Sequence, residues 1–297
     1  MMNTRMYWVH AITPLHVGSG RGVGFIDLPI MREKVTSWPL VPGSAVKGVL
    51  REHFVREKKD TDLINAAFGK PDNEASNNSN AGSLVLTDAR IICLPVRSLY
   101  GTFAFSACPL VLERLKRDLD SAGHKSEPVE KSFEDDEIVV TKGSKVERNG
   151  NVLLEDLDFA IITDRGETDA WADLLARLLF ANDPAWQAIF KERFVILSNN
   201  SFNFLSETGT EVNARIKINQ EKKIVESGAL WYEEALPSET ILAGLAWCDK
   251  DYSGKGATAE KIFGTFCSDK VLNLQVGGKA TVGKGRVRCL FTKGAGE

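Results

Sequence analysis

Residues 38–58, WPLVPGSAVKGVLREHFVREK, set a helix between extended segments. Pro42-Gly43-Ser44 is a helix-start signal with Gly43 or Ser44 as N-cap. Val46, Val49, Leu50 and Phe54 recur at helical spacing and face a core. Lys47 and Arg51, four apart, share the opposite face. Upstream, 5–15 reads as a strand and 26–32 as another after a glycine loop. Downstream, SLVLTDARIICL (83–94) is a strand, 107–120 a helix, 157–163 a strand and 168–180 a helix. ETILAGLAWCD is a strand, ATAEKIFGTFC a helix, and VLNLQV and RVRCLF are final strands around GGKATVGKG. TEVNARIKI and KIVESGALWYEE flank Asn219–Lys222 as a long hairpin over 209–233. In it Val212, Ala214, Ile216 and Ile218 alternate with Asn213, Arg215 and Lys217. The pattern is α+β, a single body over 1–297 with insertions: a polar loop at 71–82 and a polar, acidic segment at 121–151. No repeat period and no clean domain boundary interrupt it.

The chain has 297 residues, 43% hydrophobic and 26% charged, an ordinary globular composition with ample core material. Cys93, Cys108, Cys248, Cys267 and Cys289 are odd in number and form no CxxC, which argues against a disulfide framework or a zinc site and suits a reducing compartment. MMNTRMYWVHAITPL lacks the basic-then-apolar pattern of a signal peptide, and no apolar run approaches membrane-spanning length. A soluble, cytoplasmic protein without a membrane partner is expected. Net charge is -3, which taken whole speaks against nucleic-acid binding. Its distribution does not: residues 1–51 carry +4, 270–296 carry +6 and the remainder -13. If the two glycine-rich ends meet in space, they form a positive groove on an acidic body, able to attract polyanions.

GGKATVGKG nearly matches a phosphate-binding P-loop through Gly278 and Gly283-Lys284, but Gly285 stands where Ser or Thr would hold magnesium, and a strand follows instead of a helix. HVGSGRGVGFIDLPI (16–30) likewise offers no GxGxxG register and leads into a strand. Both loops share backbone freedom and cations, the ingredients for close approach to phosphate. Candidate phosphate contacts are Gly18, Ser19, Gly20 and Arg21 in the first loop, and Gly278, Lys279, Thr281, Gly283, Lys284 and Arg286 in the last. The helix start at Gly43 and Ser44, with Lys47 and Arg51, is a third. Together they point to a phosphodiester backbone.

TPLHVGSG, WPLVPGSAVKGVLRE, GALWYEEALP and GGKATVGKGRV resemble the RAMP superfamily of type III CRISPR effectors, most closely the backbone subunits of type III-B (Cmr) complexes, with the Csm backbone as near neighbour. The resemblance covers most of the chain, least at 121–151. It implies a ferredoxin-like, RRM-type sheet with insertions. It implies several copies stacked head to tail on a CRISPR guide RNA beside other type III subunits, with the hairpin as a "thumb" wedging guide–target pairs. Arg215 and Lys217 would then meet RNA. It also implies metal-dependent cutting of target RNA, with Mg2+ or Mn2+, by the aspartate after the first glycine loop, here Asp27. RNA carries its own nucleophile, the 2′-OH, so one carboxylate can serve as base or hold a metal against the phosphate. From spacing alone, Asp27 also reads as a loop acid capping a turn. His16 can assist proton transfer or simply end its strand. Glu226, Tyr232 and Glu233, near the hairpin base, fit packing and solvent exposure equally. Two functions remain: a guide-directed endoribonuclease subunit, or a non-catalytic RNA-binding scaffold of the same kind of complex.

Overall fold

The computed structural model describes residues 4–20, 22, 25–71, 79–128, 133–163, 166–218, 223 and 225–294, with the main chain alone for 225–228. In chain order the elements are β1 (Thr4–Ala11), β2 (Leu40–Val41), α1 (Gly43–Arg56), α2 (Thr61–Phe68), β3 (Leu84–Leu86), β4 (Ala89–Arg97), β5 (Phe103–Ala107) and α3 (Pro109–Ser121). Next come β6 (Glu137–Val140), β7 (Glu147–Arg148), β8 (Asn151–Leu154), β9 (Leu157–Ile161), α4 (Glu167–Leu179), α5 (Pro184–Lys191), β10 (Phe194–Leu197) and α6 (Asn199–Thr208). The last are β11 (Glu211–Ile218), β12 (Val225–Ala235), β13 (Ile241–Cys248), α7 (Ala259–Phe266), β14 (Leu272–Gln275) and β15 (Arg286–Thr292). The α+β reading holds. The main sheet runs β14-β15-β1-β13-β4-β5-β10-β6-β9-β8-β7, with β2 on β4 and β3 on β13. β1 is an interior strand, antiparallel to β13 on one side and β15 on the other. Its Met6, Tyr7, Trp8 and Val9 are fully buried. β11 and β12 form a separate two-stranded ribbon. Among the described residues no helix is long and apolar enough to cross a membrane.

α1 forms as its periodicity requires. Val46, Leu50 and Phe54 are buried and Val49 packs against the core. Phe54 meets Phe266 of α7 at 4.9 Å between ring centroids and Phe68 of α2 at 6.3 Å, so one aromatic cluster ties three helices together. The N-cap is Pro42, one residue before the expected positions. The Gly43 N–H donates to Asp88 Oδ1 at 2.9 Å, because the helix start packs against the 86–88 turn.

Several segments differ from their sequence reading. The strand expected at 83–94 is split at Thr87–Asp88, where Gly43 presses against the main chain. Residues 26–32 form no ladder; single bridges join Gly18 to Ile30, Leu28 to Glu233 and Arg32 to Pro39, so each residue satisfies a different neighbour. The acidic 121–151 segment contains β6, whose Ile138 and Val139 are buried and which pairs with β10 inside the sheet. The alternating apolar side chains of β11 face outward: Val212 is 42% exposed, Ile216 49% and Ile218 53%.

A Cβ at Gly43 would stand 2.4 Å from the Leu86 carbonyl oxygen and 2.5 Å from that of Thr87, whereas one at Gly48 in the same helix would meet nothing within 4 Å. Gly43→Ala is therefore expected to cost ~1–3 kcal/mol through overpacking. Gly48→Ala is expected to add ~0.5–1 kcal/mol through helix propensity. Chemical denaturation of the two variants checks both signs.

Candidate nucleic-acid interface

The two glycine loops meet. Leaving β1, the chain donates Ile12 N–H to the Arg286 carbonyl at 2.8 Å. Gly285 N–H then donates to Pro14 O at 2.9 Å and Gly278 N–H to His16 O at 2.9 Å. Arg286 N–H donates to Thr13 Oγ1 at 3.0 Å. A Cβ on Gly277, at φ +77°, would sit 2.2 Å from His16 O, so only glycine permits this approach. The short 3-10 turn Ala280–Val282 follows, flanked by Lys279 and Gly283 in the left-handed region. Thr281, Gly283 and Arg286 are exposed and Lys279 is half-buried. Lys284 is buried, and its Nζ has no hydrogen-bond partner among the described residues.

His16 lies beneath both loops. It is buried, and its Nδ1 donates to Glu234 O at 2.6 Å. That leaves Nε2 beneath Gly18, where a Cβ would stand 3.0 Å away. Such a place suits a side chain that holds the loops together. Gly18, Ser19 and Gly20 are exposed, and Ser19 N–H donates to Pro29 O at 3.0 Å. Arg21 lies outside the described residues, as does the hairpin tip at 219–222.

Asp27 is exposed and comes to the base of the hairpin. Its Oδ2 accepts the Tyr232 N–H at 2.8 Å, and Oδ1 has no hydrogen-bond partner among the described residues. Leu28 N–H donates to Tyr232 O at 3.1 Å and Glu234 N–H to Leu28 O at 3.0 Å, so residues 27–28 lie along β12. One carboxylate oxygen is thus fixed by main chain while the other is open to a ligand. Phe25, 77% exposed, stands two residues away.

Glu233 is buried, which decides for packing where its sequence left packing and exposure equally open. Lys279 Nζ donates to its Oε1 at 2.7 Å, as does Trp231 Nε1 at 2.8 Å, and Arg215 Nε reaches Oε2 at 3.3 Å. Burial alone would raise its pKa; the hydrogen bonds from Lys279, Trp231 and Arg215 outweigh that and hold it down at about 2. The carboxylate therefore ties the hairpin to the last glycine loop. Arg215, Lys217 and Asn213 share one face of the ribbon, with Trp231 and Glu233 opposite Arg215 and Asn213. Glu234, unremarked in sequence, is buried as well and bonded to Arg32, Thr210 and Ile30. Charge runs in the sequence give no signal for either acid, because their partners lie far along the chain.

The helix start lies along β1 and not at its loop end: Gly43 packs on the Leu86 and Thr87 main chain, and Tyr7 Oη donates to Thr87 O. Lys47 lies near enough to Cys248 to interact with it, and burial, chiefly, pushes its ammonium below the ordinary value. Cys248 ends β13 beside the Thr4 end of β1, whereas the glycine loops leave from Ala11. Eight residues of strand separate those ends, ~25 Å. Ser44 is exposed and Arg51 half-buried on the same helix, but the Gly43 N–H is already taken by Asp88. Among the described residues no three His, Cys, Asp or Glu side chains are grouped to hold a metal.

The Glu233 bridge has a pH signature. A carboxyl lowered from 4.5 to about 2 on folding contributes stability that is complete above pH 4.5 and lost as pH falls toward 2. Glu33, also held at about 2 by its hydrogen bond from Arg114, titrates in the same window. Glu233→Gln is therefore expected to lower the melting temperature at pH 7 and to weaken, not abolish, the loss of stability between those pH values. Thermal melts of both proteins across that range check it.

Comparison with known proteins places these features. The RAMP superfamily model matches residues 8–288. The CRISPR system Cmr endoribonuclease Cmr4 of Pyrococcus furiosus is 36% identical over 295 residues, 97% of this chain and 95% of that protein. The CRISPR system CMR subunit Cmr4 of Saccharolobus solfataricus is 24% identical over 301 residues, covering 95% and 94%. The crystal structure of oligomeric Cmr4 from Pyrococcus furiosus superposes with a TM-score of 0.75 at 29% identity, covering 99% of both chains. With its paired glycine loops and the extent of these matches, the chain belongs to the RAMP superfamily.

Proposed function

We propose that this chain is the backbone subunit of a type III-B CRISPR ribonucleoprotein, binding guide RNA and cutting complementary target RNA at regular intervals. Asp27 carries the reading: a carboxylate with one oxygen fixed to the hairpin base and one open, beside two joined, cation-bearing glycine loops. The 36% identity to an endoribonuclease of the Cmr system supports it. The order β15-β1-β13-β4, with α1 following β1 and α7 following β13, is that of a ferredoxin-like core and supports that finer description.

In this reading the exposed main chain of Gly18, Ser19, Gly20 and the 278–283 turn lies close against guide phosphates, with Arg21, Lys279, Lys284 and Arg286 supplying charge. The ribbon is the thumb. Its outward apolar face, Val212, Ile216 and Leu230, wedges between bases, while Arg215 and Lys217 face phosphate. A splayed target nucleotide then brings its 2′-OH in line with the adjacent phosphate; the 2′-oxygen bonds phosphorus as the P–O5′ bond breaks, water protonates the leaving 5′-oxygen, and Asp27 Oδ1 takes the 2′-OH proton unless it holds a metal ion. Magnesium or manganese fits a site with a single protein carboxylate when RNA oxygens and water fill the other positions; Asp27 Oδ1 would hold it. Bound there, the ion would supply Lewis-acid neutralisation of phosphate charge. Copies of the chain associate head to tail on the guide, a heterologous contact that leaves an open filament.

Asp27→Asn is expected to abolish target cutting in the assembled complex while guide and target binding persist, and a chelator is expected to stop the wild type until magnesium or manganese is returned. Gel analysis of regularly spaced products, beside filter binding, checks this. Full cutting by the amide variant would leave an RNA-holding scaffold. Lys279→Ala is expected to weaken guide binding for every sequence, with a salt slope shallower by roughly one, since phosphate contacts carry no base information.

A further inference from the structure

We infer that Glu234 is a positioning residue that sets where Asp27 stands relative to the hairpin base. The inference rests on the reading of Asp27 as the cutting residue. Residues 27–30 belong to no strand, so their place is set by individual bonds. Gly22 N–H to Asp27 O and Ser19 N–H to Pro29 O, both at 3.0 Å, hold them within the loop, and four bonds tie them to β12; three of the four involve its main-chain groups: Tyr232 N–H to Asp27 Oδ2 at 2.8 Å, Leu28 N–H to Tyr232 O at 3.1 Å and Glu234 N–H to Leu28 O at 3.0 Å. The fourth comes from a side chain: Ile30 N–H donates to Glu234 Oε2 at 3.0 Å.

Glu234 is 3% exposed, and its other oxygen, Oε1, takes Arg32 Nη2 at 2.6 Å and Thr210 Oγ1 at 2.9 Å. The carboxylate therefore grips the segment twice, three and five residues beyond Asp27. Arg32 in turn donates to Ser37 O at 2.9 Å and to Ser206 O in α6 at 3.1 Å, which fastens the grip to the body of the fold. Glu233 and Glu234, consecutive in a strand, point to opposite faces. Glu233 holds the last glycine loop and Glu234 holds the acid-bearing segment, so the hairpin base is joined to both. A reacting carboxylate tolerates little displacement: a shift of ~1 Å can cost ~100-fold in rate.

The test is single-turnover cutting by the assembled complex with guide and complementary target, with target affinity and melting temperature measured on the same preparations. Glu234→Gln keeps the size and can still accept the Ile30 N–H, but loses the pairing with Arg32. It is expected to cut at least about tenfold more slowly with target affinity within about twofold of wild type. Arg32→Met is expected to match that loss, Arg32→Lys to recover much of it, and Glu234→Gln with Arg32→Met to be no slower than either alone, because the pair acts as one unit. In an Asp27→Asn background Glu234→Gln is expected to change nothing further. Wild-type cutting by Glu234→Gln, with Asp27→Asn dead, would overturn the inference and keep Asp27. Parallel loss of rate, affinity and melting temperature without recovery in Arg32→Lys would make Glu234 a structural residue alone. Wild-type cutting by Asp27→Asn would overturn both readings.

Discussion

The carbonyl oxygen of His16 accepts the Gly278 N–H at 2.9 Å, and Gly277 lies so close that no side chain fits between. That contact joins the exit of β1 to the loop that enters β15. It is possible because β1 and β15 pair antiparallel from Met6↔Thr292 to Ala11↔Val287, which delivers both loops to the same end of the sheet. Two basic chain ends, +4 and +6 by sequence, are thereby brought together. Like charges so gathered repel in a medium less polar than water, and burial of any one of them costs more still. The fold answers with two buried carboxylates: Glu233 takes Lys279 of the last loop together with Arg215 of the hairpin, and Glu234 takes Arg32.

β12 is therefore the element that organises the interface. Side chains alternate along a strand, so four consecutive residues serve two faces. Trp231 and Glu233 turn to the last glycine loop, while Tyr232 and Glu234 lie toward the segment that bears Asp27. An acid offered by a loop alone would wander. Asp27 is bonded to the main chain of a strand whose own base is fixed on both sides, and it keeps one oxygen for a ligand. Preorganisation of this kind sets the place of a reacting group before substrate arrives.

Much of this was legible in the sequence, for identifiable reasons. α1 follows its apolar period, and β13, β14, β15 and the hairpin follow theirs, because local pattern and burial agree there. Charge and composition at both chain ends raised the meeting of the glycine loops only as a condition, and the antiparallel pairing of β1 with β15 is what meets it. Residues 26–32 read as a strand because they are extended and apolar, yet their partners are three separate segments instead of one neighbour. β6 escaped notice since four residues in an acidic stretch carry little period. Glu234 was invisible because what makes it unusual, burial against Ile30 and Arg32, joins positions 204 and 202 residues apart. Periodicity reports which face a residue occupies, not which distant charge will meet it.

The outward apolar face of the ribbon follows from the same economy of support. Two strands alone are marginally stable in water, and among the described residues β11 with β12 has no third strand beside it. Val212, Ile216, Ile218 and Leu230 gain nothing from exposure, and an apolar ribbon with open edges invites unwanted pairing. Such a face is tolerable if a ligand with its own apolar surfaces covers it during work, and base faces meet that description. The ribbon's stiffness must then come from its base, where Glu233 and Glu234 fasten it. A projecting element anchored there transmits the strain of an inserted wedge to the residues nearest its root. In the proposed reading Asp27, bonded to Tyr232 at that root, stands where distortion of a bound strand is greatest and where a carboxylate can act on it.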